Sequence, residues 1–233
     1  MIKPLLAAFI CACAAWAAQA QTPTHQYRLD GSYADDMGGP ALTPLGGTLD
    51  ATGYTFGANQ GLTVSGAVQA SVYTIDLVFS FDDVNGYRRL IDFMDQTSDT
   101  GLYVLSGDLN FFNEVTGSGA PFVAQQPSRL TVTRDVDGVF VGYVNGVQHI
   151  TFADFNPLAV FSGPGQAATF FRDDLAVGGE ASPGFVDYIR IYDSALSAAE
   201  VANLPVIGAA PEPAAALLLA GGLLLVGWRA RRH

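Results

Sequence analysis

Arg129-Leu130-Thr131-Val132-Thr133-Arg134-Asp135-Val136-Asp137-Gly138-Val139-Phe140-Val141-Gly142-Tyr143-Val144-Asn145-Gly146-Val147-Gln148-His149-Ile150-Thr151-Phe152 reads as three antiparallel strands. Leu130, Val132 and Arg134 alternate with Arg129, Thr131 and Thr133, the period of two that sends successive side chains to opposite faces of a sheet. Asp135 to Gly138 turns the chain, and Val139 to Val144 returns it. Asn145-Gly146 is then the strongest short hairpin signal, because a type I′ turn needs positive φ at both central residues. Val147 to Phe152 completes the meander.

The same signature extends in both directions. Ser71 to Phe81, Arg88 to Met94, Gly101 to Leu105, Ala168 to Arg172 and Phe185 to Tyr192 are short apolar alternations punctuated by Gly, Asn and Asp. One helix is expected. In Ser197-Ala198-Ala199-Glu200 the Ser side chain accepts from the N3 amide and the Glu reaches back to the N-cap amide. Val201 and Leu204 give that helix an apolar edge, and Pro205 ends it. No repeat of 20 to 50 residues is visible. Many short strands over this length predict an all-β, two-sheet antiparallel jelly-roll sandwich with one short C-terminal helix.

Both ends of the chain read as sorting signals, with a helix expected in each. Lys3, the apolar run Leu5 to Ala18 and the small-x-small site Ala18-Gln19-Ala20 make residues 1–20 a signal peptide. The chain's two cysteines, Cys11 and Cys13, lie inside it. The exported body is therefore expected to stand without disulfides. At the other end, a linker (206–213) carries Pro211-Glu212-Pro213, an apolar segment spans 214–228, and 229–233 is a basic tail. As a helix the apolar segment is about 22 Å long, short against the roughly 20 residues a bilayer core asks for. The arginines after it would stay cytoplasmic, placing the body outside. This order resembles the PEP-CTERM tail of Gram-negative surface proteins. The resemblance implies an exosortase as processing partner, transient anchoring in the inner membrane, and release to the envelope, outer surface or extracellular matrix. A plain single-pass anchor is the alternative. Intact-mass analysis of protein from the native host is expected to show a chain starting at Gln21 and ending near Pro211-Glu212-Pro213. A chain ending at His233 would leave the anchor reading.

Residues 21–205 form one domain, long enough to bury around 70% of its unfolded surface. From Gln21 to Ala210 there are 21 acids against seven arginines and no lysine, a net charge of −14. That balance argues against nucleic acid or an anionic membrane as a partner, so membrane contact is expected only through the C-terminal segment. Calcium or a neutral polymer suits it better.

Gly184 followed by Phe185-Val186-Asp187-Tyr188-Ile189-Arg190-Ile191-Tyr192-Asp193-Ser194-Ala195-Leu196-Ser197 resembles the closing strand of laminin-G-like domains. Val139 to Gln148 is similar to the central hairpin of that family, and Tyr27 to Asp36 to its opening strand and loop. The resemblance implies the concanavalin A-like fold, which lectins, adhesion modules and glucanases share. Fold alone does not choose among them.

Catalysis is not expected from the sequence. Retaining hydrolysis needs two carboxyl groups about 5–5.5 Å apart, whereas Glu114, Glu180 and Glu200 are widely separated and Glu200 belongs to its cap. Asp92 and Asp95 would face opposite ways on a regular strand. His25 and His149 are the histidines of the body, and no nucleophile elbow accompanies them. For metals, Asp173-Asp174 and Asp35-Asp36 are the candidate calcium ligands, since calcium takes six to eight oxygens and the family resembled often carries one calcium at its rim. The alternative is that Asp173 and Asp174 pair with Arg88, Arg89 or Arg172. For carbohydrate, Tyr33, Tyr54, Tyr87 and Phe112 are the aromatics able to stack on a sugar. The function expected is a non-catalytic exported binding or adhesion module for glycan, extracellular polysaccharide or matrix. A structural matrix component and a glycoside hydrolase are the alternatives.

Overall fold

A computed structural model describes residues 21–175 and 178–205. The signal segment with Ala18 and Ala20, and the tail with Pro211, Glu212, Pro213 and the apolar run, lie outside the described residues. Among those described, no helix is long and apolar enough to cross a membrane.

The strands are β1 (His25–Tyr27), β2 (Thr43–Pro44), β3 (Thr48–Asp50), β4 (Gly53–Phe56), β5 (Leu62–Val64), β6 (Tyr73–Phe81), β7 (Tyr87–Asp92), β8 (Gly101–Leu105), β9 (Asp108–Phe111), β10 (Val115–Thr116), β11 (Ser128–Arg134), β12 (Val139–Val144), β13 (Val147–Ala153), β14 (Ala168–Phe170) and β15 (Gly184–Tyr192), followed by helix α1 (Ala198–Ala202). They form two antiparallel sheets, one eight-stranded in the order β13-β12-β11-β6-β15-β4-β3 with β1 also on β15, the other seven-stranded in the order β10-β9-β8-β7-β14-β5-β2. This is the jelly-roll sandwich expected. The meander stands at one side of the eight-stranded sheet, and Asn145 and Gly146 turn it with φ of 51° and 80°. The capping box at Ser197 is formed in both directions.

Alternation explains the layering. On β6, Tyr73, Ile75, Leu77, Phe79 and Phe81 enter the core between the sheets, while Thr74 and Asp76 take the other face. Aromatic rings fill much of that core, Phe56 and Phe171 stacking at 4.8 Å and Phe93 meeting Phe161 at 4.9 Å. Each fully buried side chain of this kind contributes about 1.5–3 kcal/mol. With no cysteine in the body, packing carries the fold.

The outer face of the eight-stranded sheet is closed by the chain's own C-terminal segment. Leu196, Val201 and Leu204 pack on Tyr143 and Tyr192 as a second, smaller core. Beside it Asp76 is fully buried. It accepts from Arg190 at 2.7 and 3.1 Å and from the Thr131 hydroxyl at 2.6 Å, with Arg129 Nε 3.1 Å away. Arg190 also donates to the Pro205 carbonyl, and Arg129 to those of Val201 and Leu204. That face holds structure.

Candidate functional site

The outer face of the seven-stranded sheet carries a polar and aromatic cluster. On β8 and β9, Leu102, Val104, Leu109 and Phe111 point into the core, so Tyr103 and Asn110 point away from it. Tyr103 pairs in register with both Asn110 and Arg89. The Arg89 guanidinium carbon lies over the Tyr103 ring, 4.4 Å from its centroid. A cation over a ring is attracted to its negative face. Gly101 on β8 makes room for it: a Cβ there would stand 2.1 Å from Arg89 Nη1.

Around Arg89 the end of β7 and two loops deliver carboxylates. Asp92, at the end of β7, is 3.6 Å from Nη1, and Asp99 is 3.9 Å from Nη2. Asp174, after β14, accepts directly from Nη2. Glu180 closes the ring through the backbone, its carbonyl accepting from the Arg89 amide at 2.8 Å. Oxygens of Asp99, Asp174 and Glu180 all lie within 4.8 Å of one another. Burial, then the neighbouring Asp99 and Asp173, push the Glu180 carboxyl up to about 7. Burial also raises Asp92 and Asp173. The result is a Glu180 carboxyl that holds its proton to near neutrality, set with other carboxyl groups around a fixed guanidinium.

Aromatic rings flank this polar centre. Tyr87, Tyr103 and Phe112 form a triad with centroids 5.4, 5.7 and 6.2 Å apart, all edge to face. Tyr87 and Phe112 are half-buried and reach solvent, whereas Tyr103 is fully buried beneath Arg89. The Tyr103 hydroxyl donates to the Asp99 carbonyl at 2.9 Å, tying platform to carboxylates.

Two of the four aromatics picked from the sequence, Tyr87 and Phe112, therefore meet at this face. Tyr54 is in the core, its hydroxyl donating to the Gly46 and Gly61 carbonyls, and Tyr33 packs on it at 6.0 Å. The two acidic pairs are not brought together. Asp35 accepts from the amides of Gln26, Met37 and Gly39 and lies 2.6 Å from His25 Nδ1. These bonds outweigh its burial and hold its carboxyl below the usual range. Asp36 accepts from Arg28 and Gln26. Asp173 accepts from the amides of Asp174 and Glu180. Of the candidate arginines, Arg89 pairs with Asp174, and Arg88 takes Asp83 instead. Asp95 lies beyond the end of β7 in a left-handed turn, so the alternation argument did not apply to it.

Sequence reading missed Arg89, Tyr103, Asp99 and Glu180 as a group. The motif sought was two glutamates on one strand, and here the carboxylates come from separate loops folded over one face.

The laminin-G family model described as the concanavalin A-like lectin/glucanases superfamily matches residues 50–202. Compared with curated proteins, the sequence matches none. Among solved structures, domain 4 of AbnA, a GH43 extracellular arabinanase from Geobacillus stearothermophilus in complex with arabinotriose, is similar at 18% identity and a TM-score of 0.57 over 77% of this chain and 96% of that one. A Trypanosoma rangeli sialidase is similar at 13% identity and a TM-score of 0.60, over 78% of this chain and 33% of its own. Botulinum neurotoxin type C, whose cell entry depends on interaction with two ganglioside molecules, is similar at 14% identity and a TM-score of 0.58, over 76% and 49%. This chain thus spans about a third of the sialidase and half of the toxin chain. These likenesses show the fold.

They also correct one expectation. The absence of paired glutamates along the sequence led to a non-enzyme, yet the fold is shared with parts of an arabinanase and a sialidase, which are enzymes. Folding also brings carboxylate oxygens of Asp99, Asp174 and Glu180 within 4.8 Å of one another, a grouping that chain spacing did not show. The non-enzyme reading does not stand. With a family model covering most of the folded body, the chain belongs to the concanavalin A-like lectin/glucanase superfamily.

Proposed function

We propose that this is an exported glycan-binding protein that takes a neutral carbohydrate on the outer face of its seven-stranded sheet. The observation that carries the reading is the solvent-reaching pair Tyr87 and Phe112, set against Tyr103 and the Arg89–carboxylate ring. A sugar offers an apolar C–H face and a rim of hydroxyls. Aromatic rings suit the first, and the partly exposed carboxyl groups of Asp99 and Glu180 offer hydrogen-bonding oxygens to the second. The body's net charge of −14 favours a neutral polymer over an anionic one. Solved neighbours include the arabinotriose complex and the ganglioside-dependent toxin, which supports carbohydrate as the ligand class. Export and exosortase sorting rest on the two terminal segments.

A glycan array finds the ligand, and a double variant tests the site. Tyr87→Ala with Phe112→Ala is expected to weaken binding about 30-fold, from roughly 1 kcal/mol for each stacking ring. Binding left within twofold of wild type would remove this face from the reading. Assaying the retained glycan for new reducing ends decides whether the bound chain is also cut.

A further inference from the structure

A second feature lies away from that face. Phe155 is 86% exposed, and Val136 and Val139 are 83% and 36% exposed. Phe155 follows β13, while Val136 lies in the β11–β12 turn and Val139 opens β12. The two segments run side by side: Val139 pairs with Ala153, and the Asp154 amide donates to the Gly138 carbonyl at 2.8 Å.

The loop that displays Phe155 is tightly held. Asp154 is 6% exposed and points inward. It accepts from Arg134 Nε at 2.8 Å, from the Leu158 amide at 2.6 Å and from the Ala159 amide at 3.1 Å. Arg134, itself buried, donates to the Ser71 carbonyl at 2.6 Å. The opposing turn is fixed by Asp135, which accepts from the amides of Asp137 and Val139. A phenyl ring on such a braced loop is presented to solvent with little conformational freedom left to lose on binding. Downstream, the same segment bonds to the start of the loop leading to Asp99, Ser162 donating to the Phe93 carbonyl at 3.2 Å.

Size and charge select the occupant. One ring and two valines cover far less than the roughly 800 Å² per partner that a stable protein interface buries. Asp135, Asp137 and the acidic body disfavour anionic lipid. A single aromatic plane with Asn156 and Asp137 exposed near it is matched in area and polarity to one sugar ring. We infer that Phe155, flanked by Asn156 and the Asp135–Asp137 turn, is a second stacking site for a ring of a neutral polysaccharide. It rests on the glycan-binding reading above and extends it to two points of contact on one chain. Linking two weak sites on one polymer raises apparent affinity by the effective concentration at the second site, with no new contact needed.

Affinity electrophoresis of the full protein through gels containing neutral polysaccharides (linear arabinan, xylan, mixed-linkage β-glucan) tests this, with trisaccharides of each as one-site probes. Phe155→Ala is expected to weaken retention by the polymer about tenfold or more, while trisaccharide affinity stays within about twofold and the Tm is unchanged. Phe155→Tyr is expected to keep polymer retention. Equal retardation of wild type and Phe155→Ala would overturn the second site while leaving the first. Wild type retarded by none of the polymers would overturn both readings. Phe155-dependent binding to phosphatidylglycerol vesicles, with unchanged polysaccharide retention, would assign the ring to a membrane and overturn the proposal.

Discussion

Replacing Asp76 by Ala is expected to destabilise the protein by about 3–5 kcal/mol, the cost of breaking a buried ion pair from one side. Asp76 is fully buried and is the shared acceptor for Arg190 and Thr131, with Arg129 alongside. Its loss strands two guanidinium groups beneath the C-terminal segment. They could follow their remaining acceptors, the carbonyls of Val201, Leu204 and Pro205, only by loosening that segment. For a domain of this size each kcal/mol moves the Tm by about 2–4 °C, so a drop on the order of 10 °C should appear in thermal unfolding. Hydrogen exchange should rise first at Val201 and Leu204. Thr131→Val, which removes one neutral donor and leaves the ion pair intact, should cost only about 1 kcal/mol. An Asp76→Ala protein as stable as wild type would show that water reaches this face and screens the charges.

The second large effect is expected at Arg89. Arg89→Met keeps much of the side-chain volume over Tyr103 but withdraws the cation from Asp92 and Asp174, both nearly fully buried. The loss should again reach about 3–5 kcal/mol near neutral pH, and it should depend on pH. Glu180 sets the sign in the wild type. Its folded pKa, about 7, lies above its ordinary value of 4.5, so the folded state holds a proton that the unfolded chain releases. The stability this contributes is complete below pH 4.5 and is lost as pH rises through 7. The full shift would correspond to about 3 kcal/mol at 1.36 kcal/mol per unit. Solvent screening at a partly exposed carboxyl reduces that to about 1–2 kcal/mol. Removing Arg89 adds stranded carboxylates that also prefer to be protonated. Urea unfolding should therefore show the variant's deficit shrinking from pH 8 to pH 5, and Glu180→Gln should flatten the wild-type slope between pH 4.5 and 7. A deficit constant across that range would mean Arg89 acts through packing alone.

Local rules made the fold legible. The alternation along Tyr73–Phe81, the Asn145-Gly146 turn and the Ser197 capping box each act within a few residues, where steric and hydrogen-bonding preferences are strong enough to read directly. The short strands β2 and β10 carry two residues each, too few for a periodic signal, and were not anticipated. The aromatics Tyr87 and Phe112 could be picked as stacking candidates by type, but nothing local separated them from Tyr54, which the core absorbed.

By itself the sequence determined the β architecture and the acidic balance of the body. These follow from periodicity and composition. Only the tertiary structure decided which charges meet. Asp174 faces Arg89 across 85 positions of chain, Asp76 faces Arg190 across 114, and Asp99 and Glu180 converge from separate loops. Coulombic and hydrogen-bond energies depend on distance in space and on local burial, and neither quantity is written in the spacing of residues. For the same reason Asp35 and Asp173, alike in sequence as members of acidic pairs, ended with opposite shifts. One is ringed by amide donors; the other is buried beside a second carboxylate.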